Sequence, residues 1–183
     1  MMTTSVKFRR QLSCTSSVTA LLLAGAVIAG GISPAEAASP AWTGAASGNW
    51  FANGNWSTNL APTAADGVTI DTAAPNAATI NGGTANASAI NVGTGLGTGA
   101  LTILNGGALV DQNNFIGVSS DGTLTVSGGA TITDIHAFIG VFAHETGTAT
   151  VDGPNSSWST ALNLTVGQMG TGVLTISNGA SAP

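Results

Sequence analysis

Gly122-Thr123-Leu124-Thr125-Val126-Ser127-Gly128-Gly129-Ala130 is the stretch that decides the fold, because the chain repeats it. Related phrases are Ala78-Thr79-Ile80-Asn81-Gly82-Gly83, Leu101-Thr102-Ile103 with Asn105-Gly106-Gly107-Ala108, Ala149-Thr150-Val151-Asp152-Gly153, and Leu174-Thr175-Ile176-Ser177-Asn178-Gly179-Ala180. Their anchor positions, 78, 101, 124, 149 and 174, are separated by 23, 23, 25 and 25 residues. A second phrase runs in antiphase: Ile90-Asn91-Val92-Gly93, Asn114-Phe115-Ile116-Gly117, Ala137-Phe138-Ile139-Gly140 and Leu164-Thr165-Val166-Gly167. Two interleaved phrases with a period between about 20 and 50 residues mark a solenoid.

Within each phrase, apolar and polar residues alternate and then meet glycine, which describes a short half-buried strand followed by a turn. Leu124 and Val126 are expected to face inward and Thr125 outward. A helix needs apolar returns at three and four residues and tolerates few glycines, and no segment after Ala38 has that pattern. One copy of about 23 to 25 residues therefore makes one coil of an all-β, right-handed parallel β-helix, with coils stacked about 4.8 Å apart. Leu101, Leu124 and Leu174 should then form one interior row.

The ends of the chain differ from its middle. All three basic residues, Lys7, Arg9 and Arg10, lie within the first ten positions, ahead of the apolar run Val18 to Gly30 and of Ala35-Glu36-Ala37. A charged start, an apolar centre and a small-residue site describe a secretory signal peptide over 1–37, cleaved after Ala37 so that Ala38 leads the mature chain. The apolar run is short for a membrane span, which needs about 20 residues, so no membrane span is expected after signal removal. Cys14 leaves with the signal, and the exported chain is acidic and free of cysteine, lysine and arginine. Without basic side chains it has no means of releasing phosphate counterions, which excludes electrostatic binding to nucleic acid.

Trp42, Trp50 and Trp56 cluster ahead of the repeats. The expected organisation is a capping segment over 38–77, whose large rings cover the open first coil, followed by coils over 78–183. The other reading of these tryptophans is a sugar-stacking platform. His136 and His144 lie with Asp134 and Glu145 in a segment joining two coils; a metal site or acid/base pair is one reading, but the two histidines read as solvated loop residues, because no third ligand has helix-type spacing and no nucleophile motif accompanies them. The glycines of Gly93 to Gly99 precede a strand, not a helix, so they serve a turn and not an anion. No catalytic residue, metal or cofactor is expected.

Two outward ladders remain as possible contact surfaces. Thr79, Thr102, Thr125, Thr150 and Thr175 should stack in one file, and Phe115 should lie over Phe138 one coil away. The neighbouring file, Asn81, Leu104, Ser127, Asp152 and Ser177, is chemically mixed, which argues against an ice-binding face.

Gly48-Asn49-Trp50, Asn55-Trp56, Pro62 and Asp66-Gly67-Val68-Thr69-Ile70, followed by Thr148-Ala149-Thr150-Val151-Asp152-Gly153-Pro154-Asn155-Ser156-Ser157-Trp158 and Val166-Gly167, resemble an autotransporter (type V secretion) passenger. The repeat is similar to one shared with PEP-CTERM surface proteins. The resemblance implies a non-catalytic passenger, secreted or displayed outside the outer membrane of a Gram-negative bacterium. Its implied role is adhesion or biofilm contact with a host or neighbouring-cell surface or matrix. It also implies a C-terminal translocator barrel in the full-length protein. The sequence to Pro183 is accordingly read as an N-terminal part, fraying or aggregating around Leu174 to Pro183. The alternatives are the stalk of an enzyme-bearing autotransporter and a PEP-CTERM-type extracellular matrix protein.

Overall fold

The computed structural model describes residues 39–95 and 97–183. Ala35, Ala37 and Ala38, the expected cleavage residues, lie outside them, as does the rest of the expected signal peptide. The described chain is a parallel β-solenoid. Its strands are β1 (Gly67–Ile70), β2 (Ala78–Asn81), β3 (Thr84–Asn86), β4 (Ala89–Val92), β5 (Gly99–Leu104), β6 (Ala108–Val110), β7 (Asn113–Ile116), β8 (Gly122–Ser127), β9 (Thr131–Ile139), β10 (Thr146–Asp152), β11 (Ser157–Val166) and β12 (Thr171–Ser177).

Every strand pair is parallel, and the pairs define faces that persist from coil to coil. One face is the sheet β12-β10-β8-β5-β2. A second stacks β3, β6 and the first part of β9. A third stacks β1, β4, β7 and the last part of β9. β11 covers both parts of β9, because these two strands run through a corner that earlier coils break into two strands. One extra residue in β11 shifts the register between Thr160 and Asn163, a bulge that leaves Leu162 outside the ladder and 69% exposed.

The interior row has the expected composition. Ala78 pairs with Leu101, Leu101 with Leu124, Leu124 with Ala149, and Ala149 with Leu174. Beside it run Ile80, Ile103, Val126 and Val151, all fully buried. Period-two alternation sends these side chains to a common axis, and the parallel register places each above its predecessor. The hydrophobic effect therefore acts between coils as well as within them.

The tryptophan segment also stacks on the strands. Ala41 bridges Thr69 and Asn49 bridges Thr79, both in parallel, while Trp42 and Trp56 form an antiparallel bridge. Trp42 and Trp50 each meet Trp56 edge to face, with centroids 5.0 and 4.7 Å away. The Trp56 indole N–H donates to the Trp50 carbonyl at 2.7 Å, and that of Trp42 to the Asn76 carbonyl at 2.8 Å. All three rings are buried, so they offer no sugar-stacking platform. β1 falls inside the span expected to precede the coils, yet it pairs in register with β4, so the stacking begins earlier than position 78.

Candidate functional surfaces

The outward residues inherit the strand register. Thr79, Thr102, Thr125, Thr150 and Thr175 are paired in succession and form one continuous file on the face built from β2, β5, β8, β10 and β12. Hydroxyls one coil apart make a regular, uncharged strip. On another face the file is Asn91, Phe115, Phe138 and Thr165. The Phe115 and Phe138 rings stack with centroids 5.2 Å apart and planes 7° from parallel. Both are half-buried, so each ring gives part of its surface to its neighbour and part to solvent.

His136 extends this aromatic strip. Its ring lies 6.4 Å from that of Phe138, at 25° between planes, and its Nδ1 is 3.3 Å from the Asn163 amide nitrogen. Its place is within β9, not in a solvated connection, and Asp134 corrects that expectation further because it points inward and is 2% exposed. His144 lies apart in an exposed turn with φ of 76°, and Glu145 is in the same connection. The four residues therefore do not form one site. The reason is the register of β9, whose alternation from Ile132 sends Asp134 toward the axis before the phase slips across Ile135 and His136.

The interior holds a polar file that the strand pattern does not announce. The Asp111 N–H donates to the Thr133 carbonyl at 3.0 Å, which sets Asp111 beside Asp134 on the next coil, and Asp134 is paired with Thr160 on the coil after. Asp111 is 6% exposed, and Asn114, three residues along the same coil, is fully buried. The Trp158 indole N–H donates to Asp134 Oδ2 at 2.7 Å. Both Asp111 oxygens and the Asn114 amide have no hydrogen-bond partner among the described residues.

Burial drives the Asp111 carboxyl from 3.8 up to about 8, and the negative charge of Asp134 pushes in the same direction. Asp134 is also raised by burial, against the opposing pull of the Trp158 indole N–H. At neutral pH Asp111 is thus protonated, one coil away from Asp134. Such a pair is shut off from substrates, and its consequence is for stability. Asp111 and Asp134 are 23 residues apart, one repeat, and that spacing was the signal available in the sequence.

Among the described residues no helix is long and apolar enough to cross a membrane. The family described as Domain of unknown function (DUF8693) matches residues 41–161, from the tryptophan segment into β11. No curated protein and no solved structure matches the chain.

Proposed function

We propose, for a chain that belongs to the DUF8693 family, that it serves as a non-catalytic passenger segment making adhesive or biofilm-type contacts outside the cell. In this reading the chain is exported by its N-terminal signal and presented beyond the outer membrane of a Gram-negative bacterium, with a translocator barrel in the full-length protein. The stacked coils act as a stiff scaffold, and outward files carry the contacts. The receptor is a component of a host surface, a neighbouring cell or the matrix between cells.

The observation that carries the reading is the stacked, half-exposed Phe115–Phe138 pair. Two rings held side by side by a strand register lose little conformational freedom on contact, and they offer the kind of apolar anchor on which interfaces depend. The threonine file Thr102, Thr125, Thr150 and Thr175 gives an uncharged hydroxyl strip on a different face. No lysine or arginine occurs anywhere after Arg10, so contact through these surfaces relies on packing and neutral hydrogen bonds, and salt should affect it weakly.

Fluorescent beads coated with the exported chain test this on two probes, a preformed bacterial biofilm and an epithelial monolayer. Wild-type beads should be retained on at least one of them, and the Phe115→Ala/Phe138→Ala variant should lose roughly tenfold or more of that retention, as expected for losing an aromatic anchor. Far-UV circular dichroism should remain that of the parent, since neither ring belongs to the buried core. Equal retention of variant and wild type, or no retention of wild type on either probe, defeats the proposal.

A further inference from the structure

Where the tryptophan segment meets β2, an open groove of about 450 Å³ is lined by Gly48, Asn49, Phe51, Thr79 and Asn81. The Asn49–Thr79 bridge makes Asn49 the next member of the threonine file and brings Phe51 alongside Asn81. Phe51 is 39% exposed. Its ring lies against Gly83, where a Cβ would come within 3.3 Å of Phe51 Cζ, so glycine leaves room for the ring.

The polar groups of the groove are held with their donors free. Asn49 Oδ1 accepts from the Phe51 N–H at 3.0 Å, and Asn81 Oδ1 accepts from the Asn105 amide at 2.9 Å. Each bond ties down the amide oxygen and leaves an NH2 group that donates to no other group among the described residues. The Thr79 hydroxyl makes one long contact, 3.4 Å to the Ala77 carbonyl. An aromatic face, two oriented amide donors and a hydroxyl, with no charged side chain among them, form a small and specific set.

We propose that this groove binds a neutral saccharide, with one sugar ring packed on Phe51 and its hydroxyls bonded by Asn49, Asn81 and Thr79. A pyranose has an apolar C–H face that matches an aromatic ring, and hydroxyls that both accept from amides and donate to oxygen. The volume falls within the range of about 300 to 1,000 Å³ usual for small-ligand sites. An acidic sugar is disfavoured, because no lysine or arginine occurs after Arg10 and a carboxylate here would find no counter-charge. From Thr79 the strand register continues to Thr102 and Thr125, so a linear oligosaccharide reaching past the groove would meet further hydroxyls of the same file.

This site lies on a different face from Phe115 and Phe138, so it stands or falls separately from the adhesion reading. Titration calorimetry of the exported chain with neutral gluco-, galacto- and N-acetylglucosamine oligosaccharides, and with an oligouronate, tests it. At least one neutral oligosaccharide should bind, and Phe51→Ala should weaken that binding about tenfold or more. Asn81→Asp, at an exposed position that tolerates the change, should weaken it as well, whereas Phe115→Ala/Phe138→Ala should leave it unchanged. The proposal is overturned if every neutral oligosaccharide fails at millimolar concentration, if only the oligouronate binds, or if both groove variants bind like wild type.

Discussion

Raising the pH from 4 to 9 is expected to destabilise this protein steadily, and Asp111→Asn is expected to remove much of that slope. In the folded chain Asp111 holds its proton up to about 8, whereas in the unfolded chain it releases it near 3.8. Between those values the folded state binds more protons than the unfolded one, so stability falls as pH rises. The contribution is complete below about 4 and is lost by the time pH passes 8, the opposite of a carboxylate stabilised by a cation. A gap of this size corresponds to an upper bound on the order of 6 kcal/mol. Asp134, raised for the same reason, adds in the same direction.

Asparagine keeps the shape of Asp111 and cannot ionise. The variant should therefore resemble wild type below about pH 4 and exceed it increasingly towards pH 9, by several kcal/mol at most. Urea unfolding midpoints measured at each pH for both proteins give the comparison. Parallel pH profiles for the two would mean that Asp111 does not carry the proton.

The second large effect separates two glycines that share one backbone conformation. Gly106 and Gly117 both have φ of +71°. Around Gly106 an added Cβ meets nothing within 4 Å, but at Gly117 it would sit 2.5 Å from the Gly147 nitrogen and 2.6 Å from the Thr146 carbonyl carbon. Gly106→Ala should then lose only the left-handed penalty, about 1 to 2 kcal/mol. Gly117→Ala should lose that and force apart backbone on adjacent coils, for a total of about 3 kcal/mol or more.

Because a coil touches only its neighbours, that clash acts on the link between β7 and the start of β10. Hydrogen exchange should accordingly show lost protection at Thr146 and Gly147 in Gly117→Ala and not in Gly106→Ala. Equal losses of stability in the two variants would show that conformation alone, and not coil contact, demands glycine at position 117.

Much of this architecture was legible beforehand because it is a translation. Once Leu101, Leu124 and Leu174 are seen to recur at the repeat spacing, parallel stacking puts them in one row, and the same step sets Phe115 on Phe138 and aligns the threonines. Alternation supplies the face and the period supplies the neighbour. Both are local properties of a string of residues.

What the string could not supply lies at the corners and at the junction with the tryptophan segment. At the β9 corner Asp134 turns inward while Ile135 is left 38% exposed, the reverse of what polarity alone would assign. The bend makes Ile135 and His136 both face away from the axis, so the phase of the alternation slips there by one residue. Likewise, Phe51 and Asn81 are thirty residues apart in the sequence and share a groove only because Asn49 bridges Thr79. Periodicity by itself determined which side chains stack coil upon coil. Only the tertiary structure decided which corner residues enter the core and which distant segments meet, since chain direction at a bend is set by packing in three dimensions, where hydrophobic pattern gives no instruction.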